Sequence, residues 1–357
     1  MFPVMQSAGK ANGYAFVLML VVMCIYSLPK VIDFYQKETE LVALFFDGEL
    51  ARKFEKAYDR EFVLREPSIQ WWANVQYGIF GEAHSGASIG DDGWMFTYEE
   101  FIHQDDLQAA VDEQLVLIES VQAELAEQGK RLIIVPVPMK LDIYAEHAGR
   151  PLSAPHFQLY DRFVSALGER GVEHAPLREA FLGQKQDVLL FLKRDTHWTP
   201  NGARLAAQRV AEQFPELVAE EAFVSTRTGE KPFRGDLMNY VRFSEWMAPE
   251  YHTAETIDVF ETVRGEDASS EAALFDEATP AIALVGSSYT RMDDWNFTGF
   301  LKEHLKSDIV PVAIESKGPV FAMQRFLESD LAKDAEVRTV LWEFPVRTLI
   351  ARTAESG

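Results

Sequence analysis

Residues 195–210, DTHWTPNGARLAAQRV, set an Asp and a His two positions apart on a loop that runs straight into a helix. Thr199 is placed to cap that helix, and Pro200 at the first helical position sacrifices no hydrogen bond. A second stretch, AIALVGSSYT at 281–290, reads as a buried strand that breaks at Gly286 and delivers Ser288 to another helix start. The two junctions supply an acid, a base and a nucleophile. The fold they require is one that collects such junctions along a single edge.

The flanking sequence has that character. RLIIVPV at 131–137 is dense in branched apolar residues, and further buried strands are expected at 188–192, 281–285, 309–314 and 339–344. Helical patterns at 105–128, 155–169, 200–213, 296–306 and 319–328 alternate with them. Such alternation predicts an α/β protein, with a parallel sheet flanked by helices on both faces. The polar span near 218–279, which includes GEDASSEAALFDEA, interrupts the pattern and reads as a surface insertion with short antiparallel pieces near 236–243.

A chain of 357 residues can bury one large core or two modest ones. Its net charge of -22 repels a nucleic-acid backbone, and no local stripe of Lys and Arg offsets that field. Tyr14 to Leu28, YAFVLMLVVMCIYSL, is uncharged and apolar; extended from Ala11 to Ile32 it reaches the roughly 20 residues a membrane helix needs. Lys10 on the near side favours a cytoplasmic N-terminus and an exported body. A cleaved signal peptide is the rival reading, but Tyr26-Ser27-Leu28 offers no small-x-small cleavage site. The expected organisation is an N-terminus and transmembrane anchor over 1–32, an amphipathic helical stalk over 33–80 and a catalytic domain over 81–357. Cys24 is the single cysteine, so no intrachain disulfide forms.

Ser288 is the candidate nucleophile, because a serine at a strand-to-helix turn stands at the edge where open α/β sheets bind ligands. Unpaired backbone N–H groups at the helix start can stabilise an oxyanion there. Ser287 competes for the role. His197 is the candidate base that takes and returns the serine proton, and Asp195 can fix its tautomer. Plain capping by Ser288 and plain packing of His197 against Trp198 are the competing structural readings. A metal site built on Asp195 and His197 competes as well, yet no HExxH or cysteine cluster joins them and no metal is expected. No GxGxxG or Walker loop supports nucleotide binding. Trp94, Lys140, Tyr289, Arg291 and Trp295 are candidates for substrate contact, each with a core or surface-pair alternative. Glu343 and Arg347, just beyond the last strand, read equally as an ion pair or as a substrate contact.

Taken in order, Gly90-Asp91-Asp92-Gly93-Trp94-Met95-Phe96, Val135-Pro136-Val137-Pro138 with Lys140, Asp195-Thr196-His197-Trp198, Gly286-Ser287-Ser288-Tyr289-Thr290, Lys317-Gly318-Pro319 and Trp342-Glu343-Phe344-Pro345 resemble the AlgX/AlgJ family of SGNH-hydrolase-like polysaccharide O-acetyltransferases. The membrane-anchored, AlgJ-like branch is the nearer match. Met95 and Thr290 stand where that family usually has Leu and Ser. The resemblance implies a catalytic set of Asp195, His197 and Ser288, and periplasmic O-acetylation of an exopolysaccharide such as alginate from the inner membrane. It also implies other acetylation subunits and a membrane-bound O-acyltransferase that passes on acetyl groups, ultimately from acetyl-CoA, with no bound cofactor. The chain ends soon after its last strand, so the carbohydrate-binding module of the AlgX-like branch is not expected. A polysaccharide acetylesterase with the same residues, or a non-catalytic polysaccharide-binding subunit, are the alternatives.

Overall fold

The computed structural model describes residues 6–102, 107–152, 154–265, 281–314 and 318–351. Contacts divide the chain into two units, Met1–Trp72 and Ala73–Gly357.

In the N-terminal unit a single helix runs from Gln6 to Lys37. Its Ala11–Lys37 part is the one segment among the described residues long and apolar enough to cross a membrane, with a mean hydropathy of 2.2. The 33–80 stretch, expected to be helical, holds three separate helices, Leu41–Phe46, Leu50–Glu61 and Arg65–Phe80, the last of which crosses the unit boundary at Trp72. Gly48, at φ +73°, makes one of the breaks. Leu50–Glu61 folds back along the polar end of the first helix. Ser27 Oγ meets Tyr58 OH at 2.5 Å, Lys30 Nζ donates to Glu61 O at 2.6 Å, and Phe34 packs edge-on against Phe54.

The larger unit contains nine strands among its described residues: β1 Ala87–Ile89, β2 Met95–Thr97, β3 Arg131–Val137, β4 Glu173–His174, β5 Phe223–Phe233, β6 Glu255–Arg264, β7 Ile282–Gly286, β8 Ile309–Ala313 and β9 Thr339–Pro345. Five of them form an all-parallel sheet in the order β4-β3-β9-β7-β8. Because side chains alternate along a strand, each central strand feeds two cores. Ile133, Val135, Ile282, Leu284 and Leu341 pack with Ala203, Val210, Phe300 and Leu301 on one face. Leu132, Ile134, Ala283, Val285 and Val340 pack with Leu115, Phe163, Met323 and Phe326 on the other. Burial on both faces explains why these strands read as continuous apolar runs.

Two expectations are corrected. The strand expected at 188–192 reduces to a single bridge between Phe191 and Trp198. The chain turns there too tightly to pair: Leu192 N–H donates to His197 O and Thr199 N–H to Leu190 O. Within the expected insertion, β5 and β6 form a long antiparallel hairpin, whereas 236–240 is a 3₁₀ turn and not a strand pair. A small apolar cluster of Met95, Leu237, Phe243 and Tyr251 fastens the loop between these two strands onto the β1–β2 edge. The acidic stretch at 266–280 and Lys317 lie outside the described residues.

Candidate active site

The nucleophile's junction leaves the sheet at the C-terminal end of a central parallel strand. β7 ends at Gly286 and hands Ser288 to the short helix Ser288–Arg291. The 195–197 loop enters helix Pro200–Gln213, capped as expected by a Thr199 side chain that accepts from Gly202 N–H.

The structure brings Asp195, His197 and Ser288 into one hydrogen-bonded line. His197 Nδ1 lies 2.6 Å from Asp195 Oδ1, and His197 Nε2 lies 2.7 Å from Ser288 Oγ. Burial alone would push the Asp195 carboxyl up, but the hydrogen bond and charge of His197, with the N–H groups of Asp236 and His197, hold it down at about 2. An ionised carboxylate only accepts, so Nδ1 carries the proton and Nε2 is left to receive one from the serine. The arrangement is therefore competent for transfer of the serine proton to histidine.

Ser287, the rival nucleophile, is tied down. Its N–H donates to Glu343 Oε2 at 2.7 Å and its hydroxyl to the same carboxylate at 3.0 Å. Thr290 Oγ1 donates to Glu343 as well. Glu343 is wholly buried, and burial raises its carboxyl to about 6 against the pull of the Ser287 donors. Gly286 permits this approach, since a Cβ there would stand 2.6 Å from Glu343 Oε2 and 2.3 Å from Thr290 Oγ1. The Tyr289 N–H is spent on Ser287 Oγ, and those of Thr290 and Arg291 on Ser287 O. The Ser288 N–H is thus the turn's available donor for an oxyanion.

Asp236 is the residue that sequence reasoning missed. Its N–H donates to Asp195 Oδ2 at 2.7 Å, while its carboxylate accepts from Thr196 N–H at 2.9 Å and Thr196 Oγ1 at 2.6 Å. Burial and the neighbouring Asp195 charge raise its carboxyl. Gly235 allows the approach, because a Cβ there would fall 2.0 Å from Arg194 O. Asp195, His197 and Asp236 place ligand atoms within 4.8 Å of one another. All four carboxylate oxygens already accept protein hydrogen bonds, which is the donor pattern of an oriented histidine.

Four of the five substrate-contact candidates have other work. Trp94 is 2% exposed and stacks on His147 at 4.9 Å. Lys140 is buried and gives its ammonium to three carbonyls, of Leu192, Lys193 and Asp195, at 3.0, 3.2 and 2.7 Å. Burial lowers it to about 8, opposed by Glu100 and Asp195. Tyr289 is buried with its hydroxyl on Thr196 O, and Trp295 lies stacked behind His197. These residues build the walls behind the loop. Arg291 is exposed and lies outside the cleft lining. Glu343 and Arg347 do not pair: Arg347 reaches Glu99 instead, at 3.2 Å. Ser288 and His197 open into a cleft of about 410 Å³ whose other walls include Glu99, Asp236, Asn239, Tyr240 and Arg347.

A parallel sheet with a serine and a histidine meeting at its C-terminal edge marks an α/β protein of the hydrolase-like kind, and the SGNH-hydrolase-like class follows from comparison with known proteins. Residues 87–346 match the family described as "SGNH hydrolase-like domain, acetyltransferase AlgX". A relative from Pseudomonas syringae pv. tomato, "Probable alginate O-acetylase AlgJ", is 32% identical over 344 residues, covering 94% of this chain and 87% of that one. The solved O-acetyltransferase domain of Pseudomonas putida AlgJ superposes with a TM-score of 0.66 at 31% identity, over 74% of this chain and 92% of that domain. Pseudomonas aeruginosa AlgX shares the fold at a TM-score of 0.57 and 20% identity, over 79% and 67% of the two chains. The chain belongs to the AlgX/AlgJ family of SGNH-hydrolase-like acetyltransferases. With its N-terminal apolar helix it is a single-pass inner-membrane protein whose acetyltransferase domain faces the periplasm.

Proposed function

We propose that this protein transfers acetyl groups to hydroxyls of an alginate-like exopolysaccharide through an acetyl-Ser288 intermediate. The observation that carries the reading is the 2.7 Å approach of Ser288 Oγ to His197 Nε2, backed by Asp195 at 2.6 Å. His197 takes the Ser288 proton as Oγ adds to the acetyl carbonyl, then gives it to the departing donor atom as that bond breaks. In the second half, a sugar hydroxyl loses its proton to His197 and adds to the acetyl-serine, and the proton returns to Ser288 Oγ as the ester forms on the sugar. Asp195 holds the imidazole in the useful tautomer, and the Ser288 N–H faces the oxyanion of each tetrahedral intermediate. Asp236 positions the Asp195–His197 loop, and Glu343 positions the Ser287–Thr290 turn.

Activated acetyl groups outside the cytoplasm require a source in the membrane. A membrane-bound O-acyltransferase drawing ultimately on acetyl-CoA fits that need, and the N-terminal helix keeps this domain beside it. The test is transfer against hydrolysis: labelled acetyl-enzyme is offered a panel of polymers with the partner proteins present. Label on the polymer is the expected result; label released only as acetate, even with the matching polymer, makes the protein an esterase.

A further inference from the structure

Arg347 emerges two residues beyond the end of β9 and joins the cleft wall beside Ser288 and His197. Its side chain is 17% exposed. A guanidinium carries five N–H donors. Here Nη1 reaches Glu99 at 3.2 Å, and Nε is buried with no partner. A largely desolvated cation with unused donors is a costly feature to keep beside a nucleophile, and an arriving anion relieves that cost. Among the described residues, Arg347 is also the one Lys or Arg that lines this cleft.

Tyr240 supplies a second, independent observation. It lines the same cleft and keeps 36% of its surface exposed, whereas Trp94, Tyr289 and Trp295 are buried. Its ring lies across Gly86, where a Cβ would stand 2.1 Å from Cε1 and 2.7 Å from Cδ1 and Cζ. Gly86 also holds φ +119°, a conformation that side chains rarely adopt. The backbone thus fixes one side of the ring and leaves the exposed part turned to the cleft. A rigid aromatic surface in the same cleft as a guanidinium with unused donors suits a ligand with an apolar ring face and a carboxylate. The cleft volume of about 410 Å³ falls within the roughly 300–1,000 Å³ usual for small-ligand sites.

We propose that Arg347 and Tyr240 form the acceptor subsite for an acidic pyranose, Arg347 pairing with the sugar carboxylate and Tyr240 packing on the ring's carbon face. This rests on the acetyl-transfer reading above and names the determinant of its acceptor. Glu99 holds the guanidinium in place, and the incoming carboxylate pairs with its charge from the cleft side. Without Arg347, the cleft's remaining charges are the acids Glu99 and Asp236, which repel an anionic sugar.

The experiment loads Ser288 of the full chain in detergent from a small activated acetyl ester, then offers two acceptors. One is a uronic acid oligosaccharide; the other is the same oligosaccharide with its carboxyls reduced to alcohols. The wild type is expected to prefer the acidic acceptor by about ten- to a hundredfold in kcat/KM, the range set by a charge-assisted pair. Arg347→Met should abolish that preference, and Arg347→Lys should restore part of it. Tyr240→Ala should lower transfer to both acceptors about tenfold through KM, while Tyr240→Phe stays within about threefold of wild type. Equal use of both acceptors by the wild type overturns the proposal. So does a loss of acyl-serine formation in Arg347→Met as large as its loss of transfer, since Arg347 would then serve the acetyl group. If the wild type forms no acyl-serine at all, the acetyl-transfer reading falls and takes this subsite with it.

Discussion

Replacing Asp236 with alanine removes both acceptors that hold Thr196, at 2.9 Å from its N–H and 2.6 Å from its hydroxyl. Each hydrogen bond to an ionised acceptor contributes about 1.5–3 kcal/mol, so the gross loss is about 3–6 kcal/mol. Two effects offset it. The Asp236 carboxyl is held above its usual range by burial and by the Asp195 charge, so its ionised form at neutral pH carries a penalty that alanine removes. Water entering through the cleft can also reach Thr196. A net destabilisation of about 2–3 kcal/mol remains, or roughly 4–12 °C in Tm for a domain of this size. The Asp236 N–H still reaches Asp195, but the loop bearing Asp195 and His197 loses its side-chain clamp. A misplacement of about 1 Å in a catalytic group can slow a reaction about a hundredfold. Single-turnover acetylation of Ser288 by an activated ester should therefore slow about ten- to a hundredfold, and less in Asp236→Asn, which keeps one acceptor. Acetylation within twofold of wild type, alongside the expected drop in Tm, would refute the positioning argument.

Glu343 gives a pH signature. Its carboxyl is raised from 4.5 to about 6, so the folded protein takes up a proton that the unfolded chain does not bind between those pH values. Relative to Glu343→Gln, the wild type should lose about 1 kcal/mol as pH rises from 4.5 to 6, out of about 2 kcal/mol in all between roughly pH 3 and 7.5. Urea denaturation of both proteins across that range checks this, and parallel curves would contradict it. Replacing residues 1–30 by a cleavable signal should release a soluble domain that still acetylates Ser288 from a small ester but recovers less membrane partner in mild detergent. Equal recovery would reduce the N-terminal helix to a tether.

The catalytic line was legible because each member sits where local rules are strong. Thr199 and Pro200 mark a helix start, Gly286 ends a run of buried apolar residues, and Asp195 and His197 share one short loop. The aromatic candidates misled for a physical reason: a Trp or Tyr near a site motif can face inward or outward, and the sequence does not record which. Trp94 went to His147, Tyr289 to the Thr196 carbonyl and Trp295 to the back of His197. Lys140 looked like a ligand contact because it follows a strand, yet it satisfies three carbonyls of the loop behind the site. Asp236 and Tyr240 fall in a stretch without periodicity, and only the packing of Leu237 and Phe243 against the β1–β2 edge brings them to the cleft. Their sequence signals are Gly235 and Gly86, whose meaning depends on neighbours distant in the chain.

The central claim is that Ser288 carries the acetyl group, and intact-mass analysis after exposure to an activated acetyl ester tests it most directly. The wild type and Ser287→Ala should each gain one acetyl group that maps to residue 288. Ser288→Ala should gain none there and His197→Ala should gain it far more slowly. An acetyl adduct retained by Ser288→Ala and lost in Ser287→Ala would contradict the account.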